Sequence, residues 1–442
     1  MCRQHRTRFE IKPVAIFCFM TAALVTVGSE LNEGVTQAGK EFTLARAQRI
    51  ALERNWDLLA AAAGVDAATA QKVVVREFPN PTFSFSSTKI NVDDHPNSTP
   101  EGNSLWERSY DTIFAINQLL EVGGKRRSRK ASAQAGFESA RAQFLDAKRT
   151  LDLGITRAYV AAAQAEENVR VLRQSASMLS QEAKIAEVRQ KAGEISTADR
   201  SQIEITADRF ELEAKTAESA AAQARVALEV LLGFPQPKGE VVLVDRLDAL
   251  VATSRVPPNR VAIAWRPDVV AAQAALRKAE AELHLQKANR IPDPTVLAQY
   301  EHEPPENPNS IGVGVSLPLP LWNRNRGNIL AAEAAREQAR LAYEKIKAQA
   351  GAEIAVAELS YADARARWES YRDNIRPKSD QIRKTVAYAY EKGGASLLDL
   401  LSTQRNDNDV RLAAAQAQGD VLVALAALKA ATLEIQPQQL VK

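Results

Sequence analysis

The sequence predicts a mainly α-helical chain with a small β part. Long coiled-coil hairpins carry four short strands, and several copies are needed to close those strands into a barrel. Three observations lead there. The two halves of the chain repeat one another, the long helical stretches keep an apolar period of seven, and four short segments alternate apolar with small or polar residues.

The chain opens with an export signal. Arg3, Arg6, Arg8 and Lys12 precede an uncharged run from Pro13 to Gly28, with Thr26 and Gly28 small enough for a cleavage site. Residues 1–28 read as a signal peptide, because the run is shorter than the ~20 apolar residues of a spanning helix. Cys18 follows Ile16 and Phe17 rather than small residues, so no lipid anchor is expected. The 442-residue chain has 57 bases and 54 acids. Setting aside the leader's four bases and one acid (Glu10) leaves 53 of each. A neutral body offers no electrostatic footprint for nucleic acid. Both cysteines, Cys2 and Cys18, fall in the leader, which excludes disulfides and thiolate chemistry from the rest. The best later apolar run, Val421 to Leu428, stops at Lys429. An exported chain of this kind is either soluble or enters a membrane as strands.

The repeat sets the domain plan. Phe78-Pro79-Asn80-Pro81 returns as Ile291-Pro292-Asp293-Pro294, and Gly193, Ser196 and Asp199 return as Gly393, Ser396 and Asp399. Residues 29–234 and 266–434 are the two repeats, each running helix, strand, strand, long helix, glycine turn, long helix. Residues 235–265, rich in proline, read as a linker with little regular structure. Residues 435–442 are a tail.

The seam in the first repeat runs Ile155/Ala158, Ala162/Ala165, Val169/Leu172, Ala176/Leu179 and Ala183/Ala186. The second runs Ile354/Ala357, Tyr361/Ala364, Trp368/Tyr371 and Ile375. A sustained seven-residue repeat is a coiled coil. Its small residues bury little area per pair, which favours a multi-helix array. Lys125 to Lys191 contains no proline, and at ~1.5 Å per residue it makes a rod of ~100 Å.

The strand candidates alternate. Phe83 and Phe85 stand between serines, and Thr112, Phe114 and Ile116 between Asp111, Ala115 and Asn117, with Ile113 spoiling the polar face. Val296, Ala298 and Tyr300 alternate with Leu297 and Gln299, and Ile311, Val313, Val315 and Leu317 with Gly312, Gly314 and Ser316. This is the pattern of a strand with one apolar face. In a soluble sheet that face meets a core; in a membrane barrel it meets lipid. About eight strands make the smallest common barrel, so four per chain require association.

The layout resembles the TolC-type outer membrane factors, the exit ducts of tripartite efflux systems. Gln118 to Arg126 (QLLEVGGKR) and Leu317 to Ile329 (LPLPLWNRNRGNI) resemble that family's two strand-to-helix junctions, the second in the form of the CzcC-like heavy-metal-efflux branch. The resemblance spans roughly Phe42 to Glu434. It implies a homotrimer with a twelve-stranded outer membrane barrel and a periplasmic helical tunnel. It also implies a periplasmic adaptor, an inner-membrane pump of the RND type, outer membrane lipid around the strands, and neither cofactor nor catalysis. Divalent metal ions are the expected cargo, with organic compounds as the alternative. A soluble periplasmic coiled-coil adaptor or scaffold is the competing class, although an adaptor would normally show one hairpin rather than two.

Other chemistry is sparse. The four histidines form no HExxH spacing. Asp93-Asp94-His95 and Glu301-His302-Glu303 offer oxygen and imidazole ligands, and each is expected in a loop between paired strands. Gly193 and Gly393 break the rods, since glycine tolerates positive φ. By resemblance, these turns are the tips that meet the adaptor, through Gly193, Glu194, Ile195, Gly394, Ala395 and Leu397. Pro377 lies in the Ile354 seam and bends its helix, whereas Ser177 stands 200 residues earlier. Asp399 matches an aspartate that lines the narrow periplasmic entrance of the family. The position three residues on, often a second acid there, is Ser402. Three such carboxylates on one axis would attract cations.

Overall fold

The computed structural model describes residues 41–88, 111–253, 262–303 and 307–434. The leader, the tail and Asp93-Asp94-His95 lie outside the described residues. In chain order the elements are β1 (Glu41–Phe42), α1 (Leu44–Arg54), α2 (Trp56–Val74), β2 (Thr82–Thr88), β3 (Asp111–Leu119), α3 (Lys125–Lys191) and α4 (Thr197–Leu231). Then come β4 (Val242–Leu243), α5 (Leu247–Thr253), α6 (Pro267–Ala288), β5 (Thr295–Glu303), β6 (Asn307–Ser316), α7 (Arg326–Ser370), α8 (Arg376–Glu391) and α9 (Leu397–Ala431). A single turn of wider π-helix, Tyr371–Ile375, joins α7 to α8.

The two repeats pack side by side. α3 lies against α4 as a hairpin and also meets α2, α6 and α9, while α9 lies against α7 and α8. The seam buries as its period requires: Ile155, Ala162, Leu172, Ala176, Leu179 and Ala186 are buried on α3, and Ala357 and Ala364 on α7. Ile375, last in its seam, is exposed, because the wide turn rotates it off the seam. Among the described residues no helix is long and apolar enough to cross a membrane.

The largest core lies at mid-length. Ile155, Tyr159 and Val160 of α3 pack there with Leu228 and Leu232, Ala47 and Ala51, Val241, Leu247, Leu250 and Leu422. Each large apolar side chain buried this way contributes about 1.5–3 kcal/mol. The Tyr159 hydroxyl donates to Phe42 O at 2.7 Å. Glu229, only 2 % exposed, accepts from the backbone N–H groups of Lys238, Gly239, Glu240 and Val241 at 2.5–3.0 Å. Gly233 has φ +77°, and a Cβ there would stand 2.4 Å from Arg54 O, so only glycine lets α1 come so close. Among its described residues, the segment read as a linker places Val241, Leu247 and Leu250 in this core and carries β4, α5 and a 3₁₀ turn at Ile263–Trp265.

β1 and β4 pair as a small two-stranded sheet, and the other four strands form one antiparallel sheet in the order β2-β3-β5-β6. Its register aligns Phe85 with Phe114, Phe114 with Tyr300 and Tyr300 with Ile311. One row over, Phe83, Ile116, Ala298 and Val313 align. Most apolar positions of the four strands thus share one face, and Phe83, Phe85, Ile116, Ile311, Val313 and Val315 are exposed on it.

The two junctions fix the sheet to the helices and to each other. Lys125, first in α3, pairs with Asp293 at 2.8 Å, whose other oxygen accepts from Val122 N at 2.9 Å. Asn325 starts α7 in a left-handed conformation and donates to Gln286 O at 2.8 Å.

Candidate functional site

Two ends of the molecule carry its distinctive features: the sheet, and the hairpin tips far along the helices from it. Both tips are built alike. Glu194 N donates to Arg189 O at 2.9 Å and Gly193 N to Gln190 O at 3.0 Å; Gly394 N donates to Ala389 O at 2.8 Å and Gly393 N to Tyr390 O at 3.1 Å. These paired bonds satisfy the last carbonyls of α3 and α8 and require the left-handed φ of Gly193 (+80°) and Gly393 (+75°). A Cβ at either glycine meets nothing within 4 Å, so conformation alone, and not space, demands glycine.

The returning helices begin with matched capping boxes. Ser196 Oγ accepts from Asp199 N at 3.0 Å and donates to Asp199 Oδ2 at 2.8 Å. Ser396 Oγ accepts from Asp399 N at 3.2 Å and donates to Asp399 Oδ2 at 2.7 Å. The Ser396 hydroxyl and backbone N–H hold the Asp399 carboxyl below the ordinary carboxylate range. Asp399 is exposed, and so is Ser402 one turn on, whose hydroxyl donates to Asp399 O at 3.1 Å. Within a single chain Asp399 thus carries a capping role and an exposed negative charge together.

Of the tip residues, Gly193, Glu194 and Gly394 are exposed, and Ile195, Ala395 and Leu397 are half-buried. Leu397 packs against the apolar cluster formed by Leu172, Ala176, Leu179, Ala207, Phe210 and Ala214, which brings the start of α9 against the first hairpin. The Arg189 guanidinium lies 5.9 Å from the Tyr390 ring centroid, a second link between the hairpins near their tips.

The second hairpin holds a polar network that sequence reasoning missed. Asp407, 3 % exposed, accepts from Ser379 Oγ at 2.9 Å and from Arg411 Nε at 2.8 Å. Arg383 lies 3.2 Å from it. Asp380 pairs with Lys384 at 2.7 Å, Arg383 at 2.9 Å and Arg411 at 3.3 Å. Lys384 and Arg383 lower its carboxyl to about 2. Next to it, Ser175 Oγ on α3 donates to Asn408 Oδ1 at 3.0 Å. The signal lies only in the repeat offset: Ser379, Asp380, Arg383, Asp407 and Arg411 are polar or charged, whereas the counterparts of 379, 383 and 407 are the apolar Leu179, Ala183 and Ala207. α3 runs uninterrupted through Ser177, whereas the wide turn Tyr371–Ile375 immediately precedes Pro377.

The structure corrects one expectation about metal ligands. Glu301-His302-Glu303 is not a loop but the end of β5, paired with β3 and with β6. Successive strand residues face opposite sides, so Glu301 and His302 diverge, and His302 is buried at 8 %. Among the described residues no cluster of three or more His, Cys, Asp or Glu side chains converges on a metal position.

Comparison with known proteins gives this arrangement a setting. The family model described as "Outer membrane efflux protein" matches residues 47–234 and 260–432. The chain is similar to the cobalt-zinc-cadmium resistance protein CzcC of Cupriavidus metallidurans, 26% identical over 369 residues that cover 84% of each chain. It is also similar to the pyoverdine export outer membrane protein OpmQ of Pseudomonas putida, 24% identical over 404 residues covering 84% of this chain and 83% of that one. Among solved structures it superposes on the outer membrane protein VceC of Vibrio cholerae with a TM-score of 0.71 and 20% identity, covering 88% of this chain and 95% of VceC.

Proposed function

The chain belongs to the outer membrane efflux protein family, and we propose that it is the exit duct of a tripartite efflux system carrying divalent heavy-metal cations to the cell exterior. Members of the family are outer membrane channels with a periplasmic helical tunnel, working with adaptors and inner-membrane pumps. The observation that carries the reading is a four-stranded sheet, apolar on one exposed face, at one end of two long hairpins whose other ends carry matched turns.

Mechanism follows from this arrangement. Three chains supply twelve strands, enough to close a barrel, where four are too few. The exposed face of Phe83, Phe85, Ile311 and Val313 meets lipid. The hairpins continue the barrel as a tunnel, and conduction is passive. The tips at Gly193, Glu194, Ile195, Gly394, Ala395 and Leu397 meet the periplasmic adaptor, which couples the duct to a pump of the RND type. Asp399 rings the narrow periplasmic entrance, where three carboxylates draw cations in and multivalent cations plug the opening. Ser402 stands one turn further in.

The metal cargo rests on the similarity to the cobalt-zinc-cadmium resistance protein along 84% of the chain. Deleting the gene should lower the tolerance of the host to cobalt, zinc or cadmium, and the intact gene should restore it. Ala395→Arg should fail to restore it while the trimer still reaches the outer membrane. A second reading, an organic chelator as cargo, is favoured by the similarity to the pyoverdine exporter. Unchanged metal tolerance with reduced chelator secretion would select that reading. Recovery of the chain in the soluble fraction after a carbonate wash would contradict both and select a soluble scaffold.

A further inference from the structure

The two strand-to-helix junctions hold more than a change of backbone. Apolar residues continue at alternate positions past β6, with Leu317, Leu319 and Leu321 exposed after Ile311, Val313 and Val315. The row ends at Trp322, 93 % exposed and the most exposed large apolar side chain described. Arg324 and Arg326 follow, both exposed. At the other junction Phe78 is 69 % exposed, and the Arg126 guanidinium lies 3.6 Å from its ring centroid. Arg127 and Arg290 are exposed at the same level of the fold.

Two acids of this level are already used, and a third, Glu77, stands exposed beside Phe78. Asp293 pairs with Lys125 at 2.8 Å, and Glu121 with Arg129 at 2.5 Å. Among the described residues Arg127, Arg290, Arg324 and Arg326 make no ion pair. A row of apolar side chains thus ends in an aromatic residue and then in unpaired guanidinium groups, all at the helical end of the sheet. Tryptophan favours the membrane–water boundary, where its ring sits at headgroup level. Arginine pairs with phosphate bidentately, and basic groups beside an anionic surface each add a small attraction that salt screens.

We propose that this belt binds the headgroups of anionic phospholipids in the leaflet facing the periplasm, with Trp322 set at headgroup depth and Arg324, Arg326, Arg127 and Arg290 on the phosphates. The proposal rests on the outer membrane duct reading. It adds a lipid class and a depth: the membrane boundary falls between Leu321 and Arg324. Anchoring there fixes how far the helical tunnel reaches toward the inner membrane.

Native mass spectrometry of the full-length trimer, exchanged into mixed micelles with equal phosphatidylglycerol and phosphatidylcholine of the same chains, tests the belt. Retained lipid should be enriched in phosphatidylglycerol. R324Q/R326Q should lose that enrichment by about fivefold per arginine, and R324K/R326K should keep most of it. A semi-native gel of the same samples reports the trimer, so failure of the belt and failure of the duct are read separately. Equal retention of the two lipids, or enrichment unchanged in R324Q/R326Q, would overturn the proposal. Displacement of the lipid by inorganic phosphate at equal ionic strength to a chloride control would make this a free-anion site and overturn it too. Loss of the trimer in Trp322→Ala with lipid retention unchanged would assign the segment to a contact between copies, with the same consequence.

Discussion

The two hairpins descend from one pattern and are held together by different forces. In the first, Leu179, Ala183 and Ala207 belong to an apolar layer with Leu172, Ala176, Phe210 and Ala214. Moved 200 residues along, these positions are Ser379, Arg383 and Asp407, joined by a hydrogen bond of 2.9 Å and an ion pair of 3.2 Å. The first hairpin's helix is continuous from Lys125 to Lys191, and the second is interrupted by a wide turn ahead of Pro377. An apolar seam stabilises without direction and tolerates small shifts in register. A buried ionic network is directional: it is favourable in one arrangement and costly in any that separates its partners. The first hairpin has the composition of a static frame, and the second that of an element with one preferred arrangement which can be broken.

The largest effect should come from the apolar side. Phe210→Ala removes a ring that is 3 % exposed and should cost about 3–5 kcal/mol, read as a lower unfolding temperature of the detergent-solubilised protein. Asp407→Ala should cost about 2 kcal/mol, less than breaking a lone buried pair, because Arg383 and Arg411 lose their buried carboxylate and keep only the more exposed Asp380. Giving the second hairpin the first's residues, Ser379→Leu with Arg383→Ala and Asp407→Ala, should recover most of that loss, since apolar replacement of a buried ionic group is often neutral or stabilising. If the triple variant is no more stable than Asp407→Ala alone, the two hairpins do not share interchangeable seams.

Acid should separate the hairpins as well. The Asp380 carboxyl is lowered to about 2 from an ordinary value of 3.8. A depressed acid contributes its full stability above the ordinary value, and the contribution disappears as pH falls toward 2. Hydrogen exchange, corrected for its intrinsic pH dependence, should quicken in residues 376–411 between pH 4 and 2 before it does in residues 172–214. The smallest effect is Ser379→Ala, about 1 kcal/mol, which removes one hydrogen bond to Asp407 and leaves both arginine contacts.

Much of this was legible in the sequence, for identifiable reasons. Long helices without proline, bounded by glycines, announce their own ends, and α3 spans Lys125–Lys191 as the composition requires. Alternation located all four strands and put most of their apolar residues on one face, Ile113 and Leu297 being on the other. The capping serines and aspartates were visible as a repeat at a fixed offset. The polar network was not legible from either helix alone, because Asp407, Arg383 and Asp380 read as a solvated helix face until α8 and α9 are brought together; only the 200-residue offset against Leu179, Ala183 and Ala207 marks it. Glu229 looked like any helical glutamate, since its partners are backbone N–H groups in a segment without a pattern. Glu301, His302 and Glu303 break the apolar alternation and so read as a loop, yet β3 pairs with Glu301 and His302, and β6 pairs with Glu303. Proline marked an irregularity near position 377, but the wide turn falls just before it, at Tyr371–Ile375.

Single-channel recording in a planar bilayer tests the central claim, that three copies form an aqueous duct whose periplasmic entrance is set by the second hairpin. Purified wild-type protein should insert and conduct, with block by multivalent cations added on the side of the tips. Asp399→Ala should raise the conductance or weaken that block, and Asp199→Ala, its counterpart with the same capping geometry in the first hairpin, should do much less. Inserted trimers that do not conduct, or equal changes in the two variants, would contradict the account.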